Sequence, residues 1–171
     1  MNNKPKLLII GHGRHGKDTL AEIFERDHGM TFKASSLAAS DIFIYEELKY
    51  KYDYVDAKDC FHDRSNHRAE WYDMICDYNK EDKAKLAKDI MADSDCYVGM
   101  RDLSEINECI EQGVFDMIIW VDASERLPKE GKDSFNVSRS RADVIVENNE
   151  SLEVFERKAK ILGKFLFKPL S

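Results

Sequence analysis

The sequence predicts one α/β domain, a three-layer sandwich in which a parallel sheet of about five strands lies between helices. Three observations predict it. Apolar runs such as Leu7–Ile10 and Met117–Val121 lack polar alternation, as expected of strands buried on both faces of a parallel sheet. Segments of helical spacing alternate with those runs, which calls for right-handed strand–helix–strand crossovers. The 171 residues match the usual size of one domain, and no repeat, low-complexity tract or linker divides them.

Each element follows from its residues. Lys6–Gly11 reads as the first strand, and Gly11–Gly16 as a tight glycine loop. Asp18–His28 is a helix with Leu20, Ile23 and Phe24 on one side and Gly29 as its stop. Met30–Lys33 is a short second strand; Ser36 or Ser40 caps a helix carrying Ile42, Ile44, Tyr45 and Leu48. Tyr50–His62 has no clear period and reads as loop or short helical pieces. Asn66–Tyr78 and Glu81–Met91 have helical spacing through Trp71, Met74, Ile75 and Tyr78, then Leu86, Ile90 and Met91. Cys96–Met100 is a third strand ending at Arg101-Asp102. Ser104–Gln112 is a helix closed by Gly113, and Phe115–Val121 is the most hydrophobic strand. Asp122–Arg141 is the most polar stretch and reads as a mobile surface loop. Ala142–Val146 is a last strand, Asn148-Asn149 a turn, and Leu152–Phe167 a closing amphipathic helix.

Composition narrows the function. Hydrophobic residues at 43 % and aromatics at 11 % rule out wholesale disorder. No apolar run is long enough for a membrane span, and Met1-Asn-Asn-Lys-Pro lacks the apolar stretch of a signal peptide, so a cytoplasmic place is expected. Four scattered cysteines without C-x-x-C suit reduced thiols better than a disulfide frame or zinc site. The net charge of −7 argues against a broad basic face for nucleic acid, so any anionic ligand needs a local cluster of positive groups.

Such a cluster exists. Gly11-His12-Gly13-Arg14-His15-Gly16-Lys17-Asp18-Thr19 fits G-x-x-x-x-G-K. Glycines let backbone N–H groups turn inward around phosphate oxygens, the next helix points its positive end at them, and Lys17 reaches the terminal phosphates. The three fixed letters arise by chance in roughly one chain in twenty of this length; the strand before and the helix after lower that to about 1 %. Asp18 stands where Ser or Thr normally follows. Its carboxylate could hold Mg²⁺ directly or through water, or serve only as a favourable acid in a first helical turn. Thr19 could donate a hydroxyl to a phosphate oxygen. His12 and His15 lack the further ligands of a metal site, so their side chains are expected to face solvent or nucleotide.

Gly16-Lys17-Asp18-Thr19, Val98-Gly-Met-Arg101, Trp120-Val-Asp-Ala-Ser124 and Val144-Ile-Val-Glu-Asn148-Asn149 together resemble the phage-type deoxynucleoside monophosphate kinases, within the P-loop kinase superfamily. The resemblance runs from about Lys6 to Leu162. It implies a P-loop NTPase-like fold and Mg²⁺-dependent transfer of the γ-phosphoryl group from ATP to a deoxynucleoside monophosphate. It also implies an acceptor-binding helical arm over about 34–95 and a lid over about 123–141. The stretch Asp63–Trp71 departs from the acceptor arm of those kinases. It leaves open the related phage kinases that phosphorylate 5-hydroxymethyluracil in DNA, for which Asp63, Glu70 or Asp102 could be the base. A P-loop nucleotide-binding protein without an acceptor is a further alternative. The expected partner is thus a small deoxynucleotide, or DNA in the second case, with no membrane; a homodimer is left open.

The other candidates each have a plainer alternative. Arg101, at the carboxyl end of a strand, suits an acceptor-phosphate or transition-state contact, or an ion pair. Arg64 and Arg68, four apart, share a helix face with Trp71 one turn on; they could hold an acceptor phosphate and base, or Trp71 could be core. Ser35 and Ser36 could bind the acceptor or start a helix. Arg139 and Arg141, with Arg126 behind them, match the lid arginines of similar kinases, or are simply solvated. Asp122 ends a Walker B-like run and Asp102 rivals it as a Mg²⁺ partner. Asn148 and Asn149 could meet an adenine edge or form a turn.

Overall fold

The first apolar run becomes the centre of the sheet. In the computed structural model, which describes residues 4–132 and 135–168, β1 (Leu7–Ile10) is fully buried at all four positions. Its parallel neighbours are β3 (Cys96–Val98) and β4 (Met117–Asp122), with Leu7 opposite both Cys96 and Met117. β2 (Phe32–Ala34) and β5 (Val144–Glu147) close the edges, giving the all-parallel order β2-β3-β1-β4-β5.

Alternation along β1 divides the core in two. Leu7 and Ile9 face α1 (Lys17–His28) and the closing helix, meeting Leu20, Ile23, Phe24, Phe155 and Ala159. Leu8 and Ile10 face the other layer, with Leu48, Trp71, Leu86, Ile90 and Ile106. Each such side chain contributes roughly 1.5–3 kcal/mol on burial, so β1 alone outweighs any exposed ion pair. That is why the run shows no polar alternation.

The region between β2 and β3 is a run of short helices, as its spacing predicts. α2 (Ser35–Ala39) passes through a π-helical turn at Ser40–Ile44 into α3 (Tyr45–Tyr52). Neither serine caps α2. Its N-cap is Ala34, without a side-chain bond, and Ser40 is instead buried with Oγ donating to the Ala57 carbonyl at 2.7 Å. The stretch 50–62, expected as loop or short helical pieces, takes the second form in α4 (Ala57–Asp63), whose N-cap Asp56 accepts the Asp59 amide at 2.8 Å. A short 3₁₀ turn at Arg64–Asn66 precedes α5 (Arg68–Tyr78), and α6 (Lys85–Met91) begins four residues later than its spacing predicts.

Beyond β3, α7 (Leu103–Glu111) is capped by Asp102, which accepts the amides of Ser104 and Glu105. α8 (Leu152–Leu166) is capped by Ser151 through the Val154 amide. The four cysteines are free, and no described helix is long and apolar enough to cross a membrane. The expected lid at about 123–141 contains residues 133 and 134, which lie outside the described residues. Most of its described residues are exposed, as a surface loop requires, but Phe135 and Val137 are buried and anchor it to the core layer.

Candidate functional site

The loop joining β1 to α1 sits where both central neighbours of β1 end, the crevice in which parallel sheets place ligands. Close packing dictates its glycines. Gly11 has φ 146°, and a Cβ there would lie 2.4 Å from the Val121 carbonyl oxygen. Gly16 has φ 107°, and a Cβ would lie 2.5 Å from Asn148 Nδ2. Any other residue would push the loop off β4 or off the turn after β5. At the start of α1, no described residue accepts a hydrogen bond from the amides of Gly16, Lys17, Asp18 or Thr19. Those donors, with the helix's positive end, remain for an anion.

Two cations converge there. Lys17 is half-buried and its Nζ donates to the His12 carbonyl at 2.9 Å, within the loop. Burial and the nearby charge of Arg101 lower its pKa, with Asp18 and Glu130 opposing. A partly dehydrated ammonium with too little negative charge around it is a group suited to a bound anion.

An anion is already present, and it belongs to the chain itself. Glu130 Oε2 accepts the Gly13 amide at 2.8 Å, and Glu130 Oε1 is ion-paired with Arg101. Burial alone would raise this carboxyl, but Arg101, the Gly13 amide and Lys17 hold it below the ordinary glutamate value. The amide ring is therefore partly engaged: Gly13 is bonded to Glu130, whereas the amides at the helix start are not. Lys17 points into the loop rather than into bulk solvent. Glu130 was not singled out by sequence reasoning, and no spacing rule could have found a partner 117 residues from Gly13.

The loop histidines serve the same junction. His15 is fully buried, which overturns the expectation that it faces solvent or nucleotide. Its Nδ1 accepts the Ala123 amide at 3.0 Å and its Nε2 lies 3.1 Å from the Pro128 carbonyl, so the neutral Nε2–H form is required. His12 is half-buried against Trp120 and Phe135, and its Nδ1 accepts the Glu130 amide at 3.0 Å. Asn148 spends its side-chain amide on the His15 carbonyl at 2.9 Å, and its own carbonyl accepts Arg126 Nε at 2.6 Å. Arg14 is exposed and, like the two glycines, takes a positive φ, 64°.

The three candidate metal acids differ. Asp122 is buried, with Oδ2 accepting from Arg139 at 2.7 Å and Oδ1 from the Ser124 amide at 2.9 Å. Burial would raise its pKa, but Ser124, Arg139 and His15 keep it below normal. Asp102 is divided between the α7 cap and Asn136. Asp18 is exposed in the first turn of α1 and has no described hydrogen-bond partner. Among the described residues no three His, Cys, Asp or Glu side chains form a metal-holding group. A Mg²⁺ bound through one carboxylate and phosphate oxygens needs no such cage, and Asp18 is the acid that fits it.

Arg139 and Arg141 lie in one 3₁₀ turn, but among the described residues only Arg139 is paired, through Asp122. A cavity of about 270 Å³ beside it is lined by His12, Trp120, Asp122, Lys129 and Arg139 among others. Ser35 is half-buried with Oγ donating to the Gly99 carbonyl at 3.4 Å, and Ser36 sits beside it at the start of α2. Trp71 is a core residue whose buried Nε1 has no hydrogen-bond partner among the described residues, leaving no face for stacking. Arg64 donates to the Phe61 carbonyl and lies 3.8 Å over that ring, while Arg68 is exposed.

No family model matches the chain, and no curated protein matches it either. Several solved structures are similar. TT1252 from Thermus thermophilus is 19 % identical, with 96 % of this chain and 99 % of that chain covered and a TM-score of 0.49. An unliganded sugar kinase from Janibacter sp. HTCC2649 is 11 % identical over 97 % of this chain and 96 % of its own, with a TM-score of 0.46. A shikimate kinase from Bacteroides thetaiotaomicron is also 11 % identical, over 94 % and 96 %, with a TM-score of 0.46.

Proposed function

We propose that the chain is a kinase that moves the γ-phosphoryl group of ATP, with Mg²⁺, to a deoxynucleoside monophosphate. One observation carries this reading: the Gly13 amide and Arg101 converge on a single carboxylate, near Lys17, at the mouth of a strand–loop–helix cradle. An anion with two acceptor oxygens stands where a phosphate would, and the Cβ-free positions at Gly11 and Gly16 shape the cradle around it.

In this reading the amides of Gly13 and Gly16–Thr19 hold the β- and γ-phosphates, and Lys17 and Arg101 neutralise charge on the transferring group. Asp18 would hold Mg²⁺, which when bound would supply further charge neutralisation on the phosphates. Arg141, exposed in the lid turn, is placed to close over them; Arg139 holds Asp122 in line. Arg64, Arg68, Ser35 and Ser36 are the acceptor-side candidates. A phosphate acceptor is already nucleophilic and requires no strong base.

A specific observation favours a second acceptor, a hydroxymethyl group on a DNA base. His67 Nε2 lies 2.9 Å from Asp63, which also accepts the Tyr54 hydroxyl at 2.7 Å. An imidazole oriented by a carboxylate is the base a hydroxyl acceptor wants. Incubation with labelled ATP and either free monophosphates or 5-hydroxymethyluracil duplex separates the two. Label in the monophosphates supports the first reading, label in the duplex the second, and label in neither overturns both.

A further inference from the structure

We propose that Glu130 is a built-in competitor for the triphosphate: its carboxylate holds the Gly13 amide and Arg101, so a nucleotide can fill the cradle only by displacing it. The inference rests on the cradle reading above and adds a gate to it. A carboxylate and a phosphoryl group each present two acceptor oxygens to an amide and a guanidinium, so the same two donors cannot serve both. Glu130 is tethered close by, because its own amide is bonded to His12 and the nearby Pro128 carbonyl faces His15. A tethered ligand acts at an effective concentration of roughly millimolar, without any loss of translational freedom on binding. Nucleotide affinity is then reduced by the fraction of molecules with Glu130 withdrawn.

The contact also couples filling to the cover. Residues 123–132 reach the loop through His15, His12 and Gly13, by four hydrogen bonds within one short stretch of sequence. Withdrawing the Glu130 carboxylate removes one of these and frees the Arg101 guanidinium, which has no other side-chain partner among the described residues. Arrival of the triphosphate therefore makes Arg101 available to it. The arginine is masked until its ligand is present, which limits pairing with stray anions.

The test is calorimetric titration of the whole chain with Mg·ATP and with inorganic tripolyphosphate, in wild type, Glu130→Ala, Glu130→Gln and Lys17→Ala. The expected result is binding about tenfold tighter in Glu130→Ala for both probes, an intermediate gain in Glu130→Gln, and no binding in Lys17→Ala. Equal or weaker binding in Glu130→Ala, with wild type binding and Lys17→Ala silent, overturns the gate and leaves the cradle standing. No binding by wild type and Glu130→Ala alike overturns the cradle, and the gate with it. The Glu130 side-chain carboxyl ¹³C signal in wild type gives a second measurement independent of the variants' folding. It should move toward that of a solvated glutamate carboxylate when tripolyphosphate binds, and an unmoved signal in a chain that binds overturns the gate.

Discussion

His15 Nδ1 accepts the Ala123 amide at 3.0 Å while its Nε2 lies 3.1 Å from the Pro128 carbonyl, so one neutral ring joins the anion loop to the chain leaving β4. Removing it leaves a buried N–H and a C=O without partners. His15→Phe, which keeps the volume, should lower stability by about 1–3 kcal/mol in urea unfolding. An unchanged midpoint would show that the two hydrogen bonds contribute nothing.

Gly16 and Asn148 form a separable pair. Gly16→Ala meets Asn148 Nδ2 at 2.5 Å and must also hold φ 107°. Asn148→Ala relieves the first conflict and not the second. In a double-mutant cycle the pair should couple favourably by about 0.5–2 kcal/mol, and the double variant should still bind Mg·ATP at least tenfold more weakly than Asn148→Ala alone.

Arg139 and Arg141 read alike in sequence and should behave differently. Asp122 is only 5 % exposed and depends on Arg139 at 2.7 Å. Arg139→Ala should therefore destabilise by about 1–3 kcal/mol in thermal unfolding. Arg141→Ala should leave the melting curve unmoved and lower phosphoryl transfer at least tenfold.

Acid should loosen the cover through His12. Burial, then His15, with Lys129 and Lys17 behind, lowers its pKa below 6.5, and Glu130 only partly opposes them. As pH falls from above 6.5, the unfolded chain takes up this proton before the native chain does, so stability drops until the folded value is passed and then levels. Urea midpoints between about pH 7.5 and 5 should show this slope, and His12→Asn should flatten it.

Lys17→Met should cut transfer by at least a hundredfold while leaving the melting temperature equal or higher. Its ammonium is half-buried, and removing it relieves the desolvation that lowers its pKa. Retained transfer would remove Lys17 from the proposed chemistry.

The frame of the fold was legible because burial on two faces leaves a continuous apolar run. Leu7–Ile10 and Met117–Val121 both became central strands, and the glycine loop fell between β1 and α1 as its letters require. Less legible was the stretch 50–63, where Asp56 caps a short helix whose Cys60 and Phe61 make too small an apolar stripe to show a period. The stretch Asp122–Arg141 reads as a surface loop and most of its described residues are exposed, but its docking points were hidden for a similar reason. Its charged residues outnumber its apolar ones, yet Phe135 and Val137 suffice to dock it against Trp120 and the core. Glu130 and the ring bonds of His15 were beyond reach, because each depends on partners more than a hundred residues away.

The placement of β1 between two parallel neighbours has a thermal consequence. Its amides and carbonyls are laced to both sides and its four side chains are sealed in opposite layers, so it belongs to the last part of the molecule to open. The strap carrying Glu130 is mostly exposed, is held to the loop by hydrogen bonds at His12, Gly13 and His15, and opens first. Gentle warming will therefore unlatch the gate well before the cradle melts, and heat inactivation should begin as leakiness rather than as loss of grip.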